Sequence, residues 1–175
     1  MKNSLTRETF EKAQAELQDL LFPVAIGDVQ VKLPGNLTIN AHHFKGIVRT
    51  DNYKIFSIVT NNYKLITNLE ALNLGLDIFS QLFRELNAHE IRPFHLLYPT
   101  TYSYCHIQLI HERANFEVFE QDVWLPFLQI SNSYNRTFAL SYELGFVRKL
   151  CMNGINLKKN TVEIKAVHNK SENLD

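Results

Sequence analysis

Phe127–Ile155 reads FLQISNSYNRTFALSYELGFVRKLCMNGI, and its pattern decides the fold. The run Phe127-Leu128-Gln129-Ile130 has the composition of an apolar strand, and it breaks into a polar corner, Ser131-Asn132-Ser133-Tyr134-Asn135-Arg136. Phe138, Leu140, Tyr142 and Leu144 then recur at every second position, the period of a half-buried strand. Gly145 follows, then Arg148, Cys151 and the pair Asn153-Gly154, a turn that returns Ile155 and Leu157 to a sheet. A polar corner between two anchored strands, followed by an arginine, is how a rigid scaffold presents groups for contact.

Outward from this stretch, two segments have helical periodicity and the rest reads as strands. Thr6 can cap a helix over 7–21, with Phe10, Ala13, Leu17, Leu20 and Leu21 on one face and Pro23 ending it. Val29, Val31 and Leu33 alternate before Pro34-Gly35, and Leu37 and Ile39 after it, which predicts a hairpin. Asp51-Asn52 and Asn61-Asn62 are turn pairs, because Asn tolerates positive φ, and short strands lie between and beyond them. Asn68 is expected to cap a second helix over about 69–86, with Leu69, Leu72, Leu76, Phe79, Leu82, Phe83 and Leu86 facing the core. Strands are expected over 91–98, 101–110 and 116–119, and again at Val162, Ile164 and Ala166. Helices and strands are segregated rather than alternating. The class is therefore α+β: a single domain over 1–168, a largely antiparallel sheet with two main helices, and a frayed polar tail over 169–175.

At 175 residues the chain can bury a full core, and its 45% hydrophobic content is that of a globular protein. Eighteen basic and eighteen acidic residues cancel, which disfavours a protein that coats nucleic acid by overall charge but leaves room for a local patch. No apolar run is long enough to span a bilayer, and the N-terminus lacks the apolar centre of a signal peptide, so a cytoplasmic protein is expected. The two cysteines, Cys105 and Cys151, form no Cys-x-x-Cys pair and are expected as buried thiols.

Val59–Leu72 and Ile130–Gly154 resemble the phage/plasmid-like protein family, a domain of unknown function. The first matches a strand-turn-strand leading into a helix. The second carries the family's Asn132, Ser133, Gly145, Arg148, Cys151, Asn153 and Gly154 in order. The resemblance implies a mobile genetic element as context and supplies no reaction. It departs from the pattern where family members carry His-Asp-Gly after the Asn-Ser and this chain has Tyr134-Asn135-Arg136. It also implies a short or truncated member, since many continue well beyond the equivalent of His168.

Each candidate group has a structural alternative. Asn132, Ser133 and Asn135 could hold a ligand, or could bond the local backbone and shape the turn. Arg148 could clasp a phosphate, or lie against a carboxylate such as Glu143. Cys151 has no activating base beside it. Gly145, Asn153 and Gly154 are expected to serve turns. His42-His43 point to opposite faces of a strand, as do His106 and His111, so neither pair would chelate an ion, and no metal or cofactor is expected. His111 and Glu112, with Glu117, Glu120 and Asp122 nearby, read as solvated polar residues. From Ser131 to Lys170 the basic residues Arg136, Arg148, Lys149, Lys158, Lys159, Lys165 and Lys170 outnumber Glu143 and Glu163.

That basic region, with Tyr134 to stack on a base, outlines a surface for single-stranded nucleic acid. Arg136, Arg148, Lys149, Lys158 and Lys159 would contact phosphate. The alternative is a host protein as partner, in an accessory or anti-defence role, which near-zero net charge and abundant aromatics suit equally. The weakest alternative is an enzyme using Asn132, Ser133 and Arg148.

Overall fold

The computed structural model describes residues 7–83, 90–111, 113–117, 123–148 and 159–166. The expected tail, the cap at Thr6, and Lys149, Cys151, Asn153, Gly154 and Lys158 lie outside them. The α+β class holds: two helices accompany two antiparallel sheets. Helix α1 spans Arg7–Leu20 and α2 spans Asn68–Leu82. Strands β1 (Val24–Lys32), β2 (Thr38–Arg49) and β3 (Lys54–Thr60) form a three-stranded meander. The six-stranded sheet runs β4 (Ile91–Leu97), β5 (Tyr104–His111), β7 (Val123–Ser133), β8 (Leu140–Arg148), β9 (Lys159–Ala166), with β6 (Phe116–Glu117) paired to β7. Pro93 lies in β4, an edge strand, where a missing ladder donor is tolerated.

Both helices pack on one face of the larger sheet. Leu17 and Leu20 of α1 and Ala71, Leu72 and Phe79 of α2 bury against Cys105, Ile107 and Leu109 of β5, Leu128 and Ile130 of β7, and Leu140 and Tyr142 of β8. Each such aliphatic, once buried, stabilises the fold by about 1.5–3 kcal/mol. The closest approach is at Gly75, where an added Cβ would lie 2.5 Å from Ile130 Cδ1 and 3.3 Å from Tyr142 Cε1. The Tyr142 hydroxyl donates to the Ala71 carbonyl at 3.0 Å and fixes α2 against β8.

The start of α2 differs from expectation. Thr67, not Asn68, is the N-cap: its hydroxyl accepts from the Glu70 amide, and the Glu70 carboxylate accepts from the Thr67 amide at 2.7 Å. This capping box holds the Glu70 carboxyl below its ordinary range, through the Thr67 backbone bond first. Asn68 is free to turn inward. Leu69 and Leu82, expected to face the core, are exposed, because the buried stripe is centred on Asn68, Ala71, Leu72, Gly75 and Phe79. In the turn after β2 the positive φ falls on Tyr53 (59°) rather than on Asn52, whose side chain accepts from the Lys54 amide instead. The expected hairpin stands, with Gly35 and Asn36 both at positive φ in its turn.

Candidate functional site

The expected polar corner turns out to begin later than its composition suggests. Strand β7 continues without a break to Ser133, so Ser131, Asn132 and Ser133 are ladder residues opposite His106, Cys105 and Tyr104. All three are buried, as is Tyr134 beyond them. Polar side chains are stable there because each has a partner inside the protein. Ser131 Oγ and His106 Nδ1 lie 2.8 Å apart, and Phe138 stacks on the His106 ring at 4.9 Å. Asn132 Nδ2 donates to the Ile66 carbonyl at 3.0 Å and to Asn68 Oδ1 at 2.9 Å. Asn68 Nδ2 in turn donates to the Leu20 carbonyl at the end of α1. This amide chain joins β7 to the start of one helix and the end of the other. Ser133 Oγ donates to the Phe138 carbonyl at 2.8 Å and closes the corner.

Tyr134 is the joint between the two sheets. Its ring stacks on Phe56 of β3 (5.1 Å, 24°) and tilts against Phe22 (5.8 Å), within a second core that also contains Ile47, Val59 and Tyr63. Its hydroxyl accepts the Asn68 amide at 2.8 Å, its amide donates to the Ser103 carbonyl, and its carbonyl accepts from Ser57 Oγ at 2.6 Å. Burial raises its phenol far above the ordinary range. With 1% of its surface exposed, it presents no ring to a base, and the expected stacking role is corrected to a structural one. Arg49 seals the outer side of this core: it lies 3.9 Å over the Phe22 ring and binds Asp51 at 2.7 and 2.8 Å.

Asn135 is also spent locally, accepting from the Thr137 amide and hydroxyl and donating to Ser103 Oγ at 3.2 Å. Arg136 is exposed at the tip of the turn with φ 64°. The register separates it from Arg148 and Lys159. Arg148 pairs with Trp124 at the far end of β8, roughly 30 Å from the corner at 3.3 Å per strand residue. Lys159 opens β9 opposite Phe146, so the ladder brings Arg148 and Lys159 to one end of the sheet. Glu143 lies five residues from Arg148 along β8, where it accepts from Gln129 Nε2 at 3.4 Å. Gly145, expected in a turn, lies within β8 opposite Phe127. Asn132 and Ser133 point to opposite faces of β7, so they do not converge with each other, and the register sets the Arg148 backbone at the far end of β8.

Among the described residues no group of three His, Cys, Asp or Glu could hold a metal ion, and no helix is long and apolar enough to cross a membrane. Cys105 is buried, and desolvation pushes its thiol up to about 12, a setting without nucleophilic character.

The three-stranded sheet has two unlike faces. Its inner face carries Ile47 and Val59 onto Tyr134. On the outer face Val48 pairs with Ile55 and Gly46 with Ile58, and Phe44 follows two residues before Gly46. A Cβ on Gly46 would meet Val48 at 3.7 Å and Val29 at 3.8 Å, so both valines share this side. Phe44, Ile55 and Ile58 are 47%, 64% and 53% exposed. Beyond the irregularity at Asp28–Gln30, β1 and β2 run on as an arm. Val31, Leu33, Leu37 and Ile39 share one side of it and are all exposed, while Gln30 donates to Asn40 at 2.9 Å on the other. Sequence reasoning read these residues as a hairpin and not as a surface. The signal was present in β3, Lys-Ile-Phe-Ser-Ile-Val-Thr, which is apolar at both parities, the pattern of a strand covered on both faces.

No family model, curated protein or solved structure matches this chain, so its candidate surface rests on its own geometry alone.

Proposed function

We propose that this is a non-catalytic accessory protein of a mobile genetic element that works by binding another protein chain through the outer face of its three-stranded sheet. The observation that carries this is the exposure of Phe44, Ile55 and Ile58 together with Val31, Leu33, Leu37 and Ile39. Together these residues expose on the order of 600 Å² to water, most of it apolar, a patch of the size that marks an interaction site. The mobile-element setting rests on the resemblance of Val59–Leu72 and Ile130–Gly154. Catalysis has no support in the corner, whose Asn132 and Ser133 are committed to structural bonds.

A second reading, single-stranded nucleic acid, is favoured by one observation: the ladder gathers Arg148 and Lys159 at one end of β8 and β9, next in sequence to Lys149 and Lys158. A phosphate backbone would follow that end. The two readings separate in a binding experiment. Labelled single-stranded and duplex oligonucleotides are titrated by fluorescence anisotropy at low and moderate salt, with wild type, Arg148→Ala and Ile58→Lys. Protein binding through the sheet predicts no oligonucleotide affinity at low salt, and partner capture that survives nuclease treatment and is lost in Ile58→Lys. Salt-sensitive oligonucleotide binding that is lost in Arg148→Ala would reverse the order.

A further inference from the structure

We infer that the chain bound by this face is a second copy of the same protein, the two sheets packing face to face across a two-fold axis. The inference rests on the reading of that face as a protein-binding surface and names its occupant. Its first support is area. Phe44, Ile55 and Ile58 of the sheet and Val31, Leu33, Leu37 and Ile39 of the arm expose roughly 600 Å² per copy, about three quarters of the ~800 Å² per partner of a standard interface, and the polar rim adds to it. The second is chemistry. A two-fold interface sets each patch against itself, so it must be self-complementary. Phe44, Ile55, Ile58, Leu37 and Ile39 meet that condition, since apolar side chains have no sign to clash.

The third support is charge. Lys45 is paired with Asp28 and Arg49 with Asp51, which leaves Lys32, on the arm, as the lysine of these two strands outside an ion pair. The formal net charge of the whole chain is also zero, so two copies approach without long-range repulsion. Sheets stacked face to face sit about 10 Å apart with interdigitating side chains. Gly27, opposite the buried Gly46 of β2, has nothing within 4 Å of where a Cβ would stand, which leaves an opening at the edge of the outer face. Into it a side chain from the other copy can seat, as aliphatic knobs do in homodimer interfaces.

The test is sedimentation equilibrium of the full chain from low to high micromolar concentration, with three single variants. Ile58→Lys and Leu37→Lys place a cation on the sheet and on the arm. Tyr53→Asn, in the exposed turn before β3, is the control. All four proteins are checked by circular dichroism, and two independent lysine positions guard against one failing to fold. The expected result is a mass rising toward twice 20.4 kDa in wild type and control. Dissociation should be at least about tenfold easier in both lysine variants, because a lysine would be buried there without a partner. A dimer indifferent to both lysines overturns the inference, since it would use another surface. A monomer at every concentration also overturns it, and hydrophobic dye binding then tells the two levels apart. Dye bound by wild type and lost in Ile58→Lys leaves a docking face with a different partner. No dye binding removes the docking face as well.

Discussion

Replacing Tyr134 by Phe removes a single oxygen from the joint between the two sheets. The ring contacts with Phe56 and Phe22 survive. What is lost is the acceptor for the Asn68 amide, 2.8 Å away. That amide is one of the first-turn donors of α2, which have no partner within the helix. Both groups are buried, so no water replaces the hydroxyl. Leaving a buried donor unsatisfied costs about 1–3 kcal/mol. With a urea dependence of ~2 kcal/mol per molar for a domain of this size, the unfolding midpoint falls by about 0.5–1.5 M. Urea titration followed by tryptophan fluorescence and circular dichroism measures this directly. Amide exchange adds a local check, since the Asn68 N–H should exchange faster in the variant while the centre of α2 does not. A midpoint within about 0.2 M of wild type would refute the assignment of Tyr134 as a joint. If the protein binds single strands by stacking on Tyr134, the same variant would instead keep both its stability and its affinity.

Gly75→Ala sets two effects against each other. The helix gains up to ~1 kcal/mol of propensity, while a Cβ at 2.5 Å from Ile130 Cδ1 forces a wholly buried side chain to move. Overpacking costs about 1–3 kcal/mol, so a melting temperature lower by a few degrees is expected, and a higher one would show that Ile130 yields freely. Cys105 should resist a thiol reagent at pH 8 in the native protein and react on unfolding, read by mass spectrometry of its peptide; rapid native labelling would contradict its burial. The pH dependence follows from the same burial. The Cys105 thiol and the Tyr142 phenol are both pushed up to about 12, so the native state favours their protonated forms. Their contribution to stability is complete below the ordinary thiol value near 8.5 and is lost as pH climbs toward 12. Urea midpoints measured from pH 7 to 11 should therefore stay level and then fall. Cys105→Ala should remove the part of the fall that begins near pH 9, and a level profile to pH 11 would refute the sign.

Element type was legible wherever a period was strong. The alternation Leu140, Tyr142, Leu144 became β8, the repeats in α1 and α2 became helices, and Pro34-Gly35 became the hairpin turn. Boundaries and caps were less so. Thr67 and Asn68 are adjacent good capping residues, and only the reach of Glu70 back to Thr67, with a buried partner for Asn68 on β7, decides between them.

Local pattern thus determined the class, two helices with antiparallel strands, because periods of 3.6 and 2 are properties of neighbouring residues. Which polar residues face water was decided by tertiary structure alone. Ser131, Asn132 and Ser133 look like a surface corner in sequence and are buried, since partners of Ser131 and Asn132, namely His106, Ile66 and Asn68, arrive from another strand and from the start of α2, while Ser133 bonds Phe138 within the corner. The converse holds for Ile55, Ile58 and Phe44. Their side chains are apolar, yet the fold supplies one layer for a strand that is apolar on both sides. Burial depends on what else the chain brings to a face, and no window of sequence contains that.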